Sequence, residues 1–443
     1  MINKDKFNLH TINVIFLLFP LSIIFGNFYT NLNIVLLIIV AFFSYYKKII
    51  KFKLIFIDKI IITFFLYTLI TLIINFAESY LTGTIFPDII IYKTLLYFRY
   101  LILYLILRAL IAQKILNLEW FSLMCAFCAA FICFDIFFQF IFGKDIFGID
   151  PGLHSFKFER GDFFLGKISN SYRHYSGVFG GELIAGGYLQ KFALFTFFLP
   201  FIVNKKKFYK IFIQFIFFIV FMFGIILSGN RMPFFLFVLS FFTILFLDRH
   251  SRKYFYMAAA ITTLILTLNF NLNPVFNYNM KTIVSKVNLL TSTFFLRDMS
   301  KEPLSVWRKP YVTEFYCFKD SWKQNPIFGG GIRYYRTFSG GCNTHPHNYY
   351  FEILTDLGLV GLGIILIFIF TLLKETFIKK LTTFKPKIGN LNSKFMPFFL
   401  IFFFEFFPIR TSGSFFTTGN ASIIFVILAA LVSLIPKKKN YNY

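Results

Sequence analysis

Long runs of apolar residues recur along the whole chain and constrain its fold more than any other feature of the sequence. The segments Leu236–Leu247 and Phe398–Phe404, for example, offer no polar face to water. Repeated apolar stretches of about 18 or more residues are typical of membrane-spanning helices. The composition agrees, because 57% of the 443 residues are hydrophobic and only 15% are charged. These features exclude a soluble enzyme, a secreted disulfide-rich domain and a disordered protein.

The apolar runs divide the chain into about twelve predicted membrane-spanning helices. They cover approximately residues 12–26, 31–46, 60–76, 94–112, 120–142, 184–203, 211–228, 232–247, 254–270, 349–373, 395–407 and 420–435. The first run lacks a small-residue cleavage site and is followed at once by another, so we interpret it as a helix rather than a signal peptide. The predicted fold is an all-α integral membrane protein, with residues 1–443 forming a single polytopic domain.

Basic residues are distributed unevenly among the connections between these spans. They concentrate in every second connection and at both ends of the chain, at Lys4, Lys6, Lys47, Lys48, Lys51, Lys53, Lys114, Lys205–Lys207, Lys210, Arg249, Arg252, Lys253, Lys374, Lys379, Lys380, Lys385, Lys387, Lys394 and Lys437–Lys439. By the positive-inside rule, both termini and these connections are predicted to be cytoplasmic. The net charge of +25 therefore reflects membrane topology, and no nucleic-acid partner is predicted.

Two of the predicted exported segments are much longer than the others. They cover about residues 144–182 and 271–348, and the second connects predicted helices 9 and 10. Loops of this length usually carry function, because ordering them is costly. The glycine-rich run at 329–333 lies in the second segment, and we interpret it as a turn.

The five cysteines do not form a disulfide framework. Cys125, Cys128 and Cys133 lie inside an apolar span and are predicted to pack in the core. Cys317 and Cys342 lie on the predicted exported side, where a disulfide is permitted. The sequence leaves their pairing open.

Charged residues near the exported ends of the spans are candidates for a functional site. Arg231 lies in LSGNRMPFF, between two spans only a few residues apart. An arginine at bilayer depth requires an anionic partner, which is either a substrate or a lipid headgroup. Arg308 lies in the second long segment, where an ion pair with Glu302 or Glu314 is the alternative to a binding role.

The segment THPHNYYFEILTDLGLVGLG places His345 and His347 immediately before a span. A histidine at this boundary has the pKa range of a general base at neutral pH. Asn348 is suited to cap the helix that follows. A packing role and a metal site are the alternatives, but no third ligand is evident nearby, so we predict neither a metal nor another cofactor.

These motifs together resemble the O-antigen ligase and O-antigen polymerase family of bacterial membrane glycosyltransferases. The resemblance rests on SGNR, on the exported segment with Arg308, Trp322 and NPIFGGG, and on HPHNYYFEILTDLGLVGLG. YRHYSGVFGGELIAGGYLQKF at 172–192 and PIRTSGSFFTTGN at 408–420 extend it, so that it covers residues 172–420. It implies a bundle like that of the C-type membrane glycosyltransferases, in which the loop at 271–348 caps a periplasmic cavity.

The resemblance also implies a reaction at the periplasmic face of the bacterial inner membrane. Such enzymes transfer a glycan from an undecaprenyl diphosphate carrier to lipid A–core, or to another carrier-linked glycan. Arg231 and Arg308 are expected to bind the diphosphate, because guanidinium groups stay charged and bind phosphate oxygens bidentately. His347 is expected to deprotonate the acceptor hydroxyl in an inverting, metal-independent transfer. His345 is the alternative base.

Further polar residues near the exported side are secondary candidates. These are Arg173, Arg336, Arg410 and Glu182. The rival function is a transporter of lipid-linked oligosaccharides, which explains the helix count equally well. The position of the polar candidates favours the transferase, because transporters typically place functional charges near the membrane midplane.

Overall fold

The computed structural model describes residues 4–46, 53–150, 152–154, 172–182, 184–202, 207–247, 310–338, 345–383, 395–408 and 413–435, with single positions at 256, 260 and 267. Fourteen α-helices account for most of these residues. We number them α1 to α14 in chain order: Lys4–Leu17, Phe19–Ile24, Asn27–Tyr46, Phe56–Thr82, Asp88–Ala112, Leu118–Phe142, Ala185–Ile202, Lys207–Leu227, Arg231–Leu247, Pro310–Gln324, Tyr334–Phe338, Tyr349–Thr383, Met396–Glu405 and Thr418–Leu434.

Five helical segments of the described chain are long and apolar enough to cross a membrane. They are Asn27–Ser44, Phe56–Thr82, Asp88–Ala112, Leu118–Phe142 and Tyr349–Thr376. Five shorter apolar helices fall at Leu9–Ile24, Ile216–Leu227, Met232–Ile244, Met396–Glu405 and Thr418–Leu434. The all-helical class is thus confirmed. The count of about twelve spans stays a prediction, and the predicted span 254–270 lies almost wholly outside the described residues.

Two short strands and a 3-10 helix at Gly177–Phe179 add to the fourteen α-helices in the described part of the chain. Gly152–His154 (β1) and Tyr172–His174 (β2) pair in antiparallel register, with Leu153 opposite Arg173. Both strands lie in the predicted exported segment 144–182. The pairing lets extended backbone satisfy its own hydrogen-bonding groups outside a helix.

The predicted first span, residues 12–26, is divided in the structure. Helix α1 ends at Leu17 and helix α2 begins at Phe19, with Pro20 in the first turn of α2. Proline lacks the N–H that would continue the preceding helix, and it fits the first turn of a new one. Leu18 between the two helices keeps a helical conformation, and its N–H donates to the Val14 carbonyl at 3.0 Å. Leu9–Ile24 therefore stays one apolar helical segment, and the predicted first helix is confirmed.

The chain forms two compact units. The first contains residues 1–117, 298–386 and 405–443. Aromatic rings join three of its helices: Phe65 of α4 stacks on Tyr97 of α5 with ring centroids 5.3 Å apart, and Tyr100 of α5 stacks on Phe425 of α14 at 6.0 Å. At the predicted cytoplasmic ends of α4 and α5, the buried Asp58 and Arg108 form an ion pair of 2.8 Å.

The second unit contains residues 118–297 and 387–404. Phe121 of α6 stacks on Phe398 of α13 with centroids 6.2 Å apart, and Phe195 of α7 meets Phe398 edge-on at 5.0 Å. Cys125, Cys128 and Cys133 of α6 are buried free thiols. Their predicted role in core packing is confirmed.

Helix α12 is broken at Gly358, which has a φ of +65° and a ψ of −168°. The glycine loop, residues 326–331, pairs with the opened backbone. Gly330 and Gly331 donate to the carbonyls of Thr355 and Asp356 at 3.1 and 2.8 Å. In return, Leu359 and Val360 donate to the carbonyls of Pro326 and Ile327 at 3.0 and 3.2 Å. The predicted turn at 329–333 therefore replaces the hydrogen bonds that α12 loses.

Polar side chains of α4 support the same break. The Tyr67 hydroxyl donates to the carbonyls of Leu357 and Phe328 at 3.0 and 3.1 Å. One and two turns further along α4, Thr71 donates to the Phe328 carbonyl and Asn75 to the Gly329 carbonyl. Backbone groups within a membrane must be satisfied by protein. This row of three side chains meets that requirement where the helix opens.

Candidate functional site

The turn that carries the two histidines leads directly into helix α12. Asn348 caps the helix, because its Oδ1 accepts hydrogen bonds from the backbone N–H groups of Tyr350 and Phe351 at 2.9 and 3.3 Å. Its Nδ2 donates to the Pro408 carbonyl at 2.8 Å. The predicted capping role is thereby confirmed. His347, just before the cap, has a φ of +48°, in the left-handed region that few residues other than glycine, asparagine, aspartate and histidine adopt.

The two histidine rings lie side by side, with centroids 4.3 Å apart. The Nε2 atom of His347 is 3.4 Å from Oε1 of Glu314, a buried carboxyl of α10. Burial lowers the pKa of His347 below its ordinary value, even though a nearby carboxylate favours the charged ring. Burial, His347 and Arg336 together lower the pKa of His345 to about 4. Both rings are therefore neutral at pH 7, and a neutral ring can accept a proton.

Four cationic side chains of the first unit lie close enough to one another to interact electrostatically. The charge of Lys93 in α5 interacts with those of Arg99, Arg333 and Arg336. Burial and Arg336 lower the pKa of the Arg333 guanidinium. Gly331 lies against α5, because a Cβ at that position would be 2.8 Å from the Cγ2 atom of Ile90. This contact brings residues 331–336 to the first turns of α5.

Two buried carboxyl groups of α12 hold the surrounding backbone in place. Oε2 of Glu352 accepts a hydrogen bond from the Phe415 N–H at 2.6 Å. The Asp356 carboxylate accepts hydrogen bonds from the N–H groups of Arg333 and Tyr335 at 2.7 and 3.1 Å. The acidic groups thus bind backbone donors, while the guanidinium groups of Arg333 and Arg336 interact with them only electrostatically.

In the second unit, two of the motif segments meet. The Tyr175 N–H donates to the Leu227 carbonyl at 3.3 Å. A Cβ at Gly186 would be 2.6 Å from the Cβ of Asn230 and would also collide with Ser228. The segment 172–187 therefore packs directly on the SGNR junction at 228–231. Arg231 is the first residue of α9, and Arg173 lies in strand β2.

The remaining sequence candidates are placed as follows. The side chains of Arg173 and Arg231, and all of Arg308 and Arg410, lie outside the described residues. Glu182 is exposed in the second unit. Arg336, His345 and His347 are brought together in the first unit. Sequence reasoning missed Lys93, Arg99 and Arg333, and it considered Glu314 only as a partner of Arg308. The position of Lys93 at the exported end of a predicted span was the available signal, whereas Arg99 lies within that span.

No cluster of three or more His, Cys, Asp or Glu side chains that could hold a metal ion occurs among the described residues. Cys317 is disulfide-bonded, whereas Cys125, Cys128 and Cys133 are free. Cys342, the remaining cysteine of the sequence, lies outside the described part of the chain.

A cavity of about 410 Å³ lies next to the cationic side chains. Its wall consists mainly of uncharged polar groups and aromatic rings from α4, from the α4–α5 turn and from α11, among them Asn75, Ser79, Thr82, Tyr334 and Thr337. Tyr334 and Thr337 face this cavity, while Arg333 and Arg336 interact with Lys93. Helix α11 thus separates a polar cavity from a cationic site.

These features define a multi-pass helical membrane protein that has a histidine pair and a cationic site in one of its units. Residues 215–366 match the model of a family described as O-antigen ligase. The matched region contains SGNR, the glycine loop, both histidines and Asp356. The match confirms the resemblance drawn from the motifs and supports an O-antigen ligase or polymerase type of protein. No curated protein matches the chain.

Proposed function

We propose that this protein is an O-antigen ligase-type glycosyltransferase of the bacterial inner membrane. It transfers a glycan from an undecaprenyl diphosphate carrier to lipid A–core, or to a related acceptor, at the periplasmic face. Both termini lie in the cytoplasm. The observation that carries the proposal is the pair of histidine rings, 4.3 Å apart and beside Glu314 and Arg336, within a region that matches the O-antigen ligase family.

The histidine turn supplies the base of the proposed reaction. The neutral His347 ring removes the proton of the acceptor hydroxyl as that oxygen attacks the anomeric carbon of the donor. The bond between the anomeric carbon and the carrier diphosphate breaks in the same step, so that the configuration inverts. Glu314 lies 3.4 Å from His347, where its carboxylate stabilises the ring once it is protonated.

We assign arginines to the binding of the leaving group, the carrier diphosphate. Arg231 and Arg308 bind the diphosphate and stabilise the negative charge that it gains as the glycosyl bond breaks. Cationic side chains take the part that a divalent ion plays in many soluble sugar transferases. We therefore expect the transfer rate to be the same with and without a chelator, and a loss that added metal restores would reinstate a metal site.

The acceptor decides between two members of this reaction class, because the family match supports a polymerase as well as a ligase. The test reconstitutes the purified protein in liposomes with a labelled glycan on undecaprenyl diphosphate, with and without lipid A–core. Label that moves to lipid A–core, and only when it is present, is the expected result. A ladder of longer carrier-linked glycans without lipid A–core would identify a polymerase instead.

A further inference from the structure

Among the described residues, the four cationic side chains near the histidine turn lack the carboxylate partners that usually neutralise such groups. None of Lys93, Arg99, Arg333 and Arg336 forms an ion pair with a carboxylate among the described residues. Within the same part of the chain, the buried Nε atoms of Arg99 and Arg336 have no hydrogen-bond partner. A buried guanidinium N–H without an acceptor is costly, and an anionic ligand is one way to satisfy it.

The carboxyl groups that interact electrostatically with Arg333 and Arg336 do not fill this role. Glu352 and Asp356 are buried, and their oxygens accept hydrogen bonds from the backbone N–H groups of Phe415, Arg333 and Tyr335. Arg333 and Arg336 thus interact with two carboxyl groups whose oxygens already accept hydrogen bonds from other donors, and Lys93 and Arg99 add further positive charge nearby. The local charge favours the entry of an anion.

The side chain of Arg99 is held in place from several directions. Its Nη1 atom donates to the Leu96 carbonyl at 2.8 Å, and Nη2 donates to the Tyr100 hydroxyl at 2.8 Å and to the Thr418 hydroxyl at 3.4 Å. The guanidinium also lies 4.5 Å from the centroid of the Tyr100 ring. A fixed guanidinium loses little conformational entropy when it binds a ligand, so this group is preorganised.

The position of these residues indicates where the ligand comes from. Lys93 and Arg99 lie about 8 and 16 Å along α5 from its first residue, at 1.5 Å per residue, and α5 is a candidate membrane span. All four cations are only partly buried, so an anion has access to them. Since Lys93 and Arg99 lie along a candidate membrane span, a membrane lipid can carry an anionic group to them.

We propose that Lys93, Arg99, Arg333 and Arg336 form an anion-binding site for a phosphate group of a lipid-linked glycan, next to the histidine pair. This inference rests on the proposed function for the kind of lipid and adds a binding site to those assigned to Arg231 and Arg308. The donor carries its phosphate as a carrier diphosphate, and the acceptor carries phosphate on lipid A–core. The shared chemistry is a phosphate group carried by a lipid.

The test measures binding rather than transfer. The full-length protein in nanodiscs is titrated with glycan-free undecaprenyl diphosphate and, separately, with phosphorylated lipid A–core. We expect Arg336→Ala and Lys93→Ala each to raise the Kd for one of these lipids at least about tenfold, because each loses a charge-assisted contact. Arg336→Lys retains the charge and is expected to recover part of the affinity. Lys319→Ala removes an exposed charge from α10 and is the matched control.

The two lipids separate the sources of the phosphate. If the variants raise the Kd for undecaprenyl diphosphate, the site binds the donor. If they raise the Kd for lipid A–core, the site binds the acceptor. Unchanged Kd values for both lipids in Arg336→Ala and Lys93→Ala would overturn the proposal. If either variant fails to fold, Arg336→Gln and Lys93→Gln are measured under the same criterion.

This result is independent of the proposed transfer reaction. A wild-type protein that binds the lipid phosphate through these residues but transfers no glycan would refute the transferase and leave the anion site standing. Glycan transfer that persists in variants with unchanged lipid affinities would refute the anion site and leave the transferase standing.

Discussion

His347 adopts a backbone conformation that glycine and asparagine tolerate and most residues avoid. A left-handed φ costs an ordinary residue about 1 kcal/mol, although histidine adopts it more often than most residues. Asn348 fixes the following backbone as the cap of α12. Strain of this kind persists where the surrounding structure determines it, and it is common at functional sites.

The choice of variant at residue 347 follows from this conformation. We expect His347→Asn to fold normally, because asparagine tolerates a positive φ, and to lower the transfer rate about 10²–10⁴-fold, the usual effect of removing a general base. The measurement is the transfer rate together with the thermal unfolding midpoint. His10→Asn, at an exposed position of α1, is the control. Normal turnover in His347→Asn would assign the base to another residue, with His345 as the first alternative.

The pH dependence of the reaction has a defined sign. A base must be neutral to act, and burial lowers the pKa of His347 below 6.5. We expect kcat/KM to be constant near pH 7–8 and to fall about tenfold per pH unit below that pKa. Glu314→Gln removes the carboxylate that favours the protonated ring, so the acid limb moves to lower pH. Asp320 is exposed on the same helix, and we expect Asp320→Asn to leave the acid limb at the pH of the wild type. An acid limb centred above pH 7 would contradict the assignment.

The sequence predicts some residues of this site and misses others, because the missed residues are brought there by contacts between distant parts of the chain. His347 and Asn348 lie next to each other in a motif, so their proximity and the helix cap follow from local sequence. Lys93 and Arg99 reach the site only because Gly331 packs against Ile90, more than 200 residues away along the chain. A contact between residues so far apart leaves no local pattern in the sequence from which it could be predicted.

Among the elements, helix α12 shows how a glycine shapes a membrane span. The sequence predicts one apolar helix over 349–373, which is correct for its position. The break at Gly358 was missed, because glycines are frequent in membrane helices and leave the hydrophobic pattern unchanged. What opens the helix is the glycine loop, whose backbone lies against it and supplies alternative hydrogen bonds.

A methyl group at Gly358 tests this arrangement. Gly358→Ala places a Cβ against the Ile327 carbonyl at a positive φ, and we expect it to destabilise the protein by about 2–3 kcal/mol. Gly363→Ala on the same helix meets no atom within 4 Å, so its midpoint of thermal unfolding should match that of the wild type. Equal midpoints for the two variants would show that the broken helix and the loop contact are wrong.

At the scale of the whole molecule, the charge pattern makes a prediction about topology. Lys144 and Lys374 are both exposed, and they lie in connections predicted to be periplasmic and cytoplasmic, respectively. We expect a membrane-impermeant thiol reagent to label Lys144→Cys in intact spheroplasts and Lys374→Cys only after permeabilisation. The free native thiols are buried, so the unmodified protein is the background control. Labelling of both variants in intact cells would contradict the predicted topology.

The most direct test of the account is whether the glycan leaves its carrier. Purified protein in liposomes is given a glycan on undecaprenyl diphosphate together with acceptor, and the free undecaprenyl diphosphate is quantified against the glycan transferred. A glycosyltransferase predicts one carrier diphosphate released for each glycan transferred, with both products reduced together in His347→Asn. A glycan that crosses the bilayer while still attached to its carrier, with no diphosphate released, would contradict the account and identify a transporter.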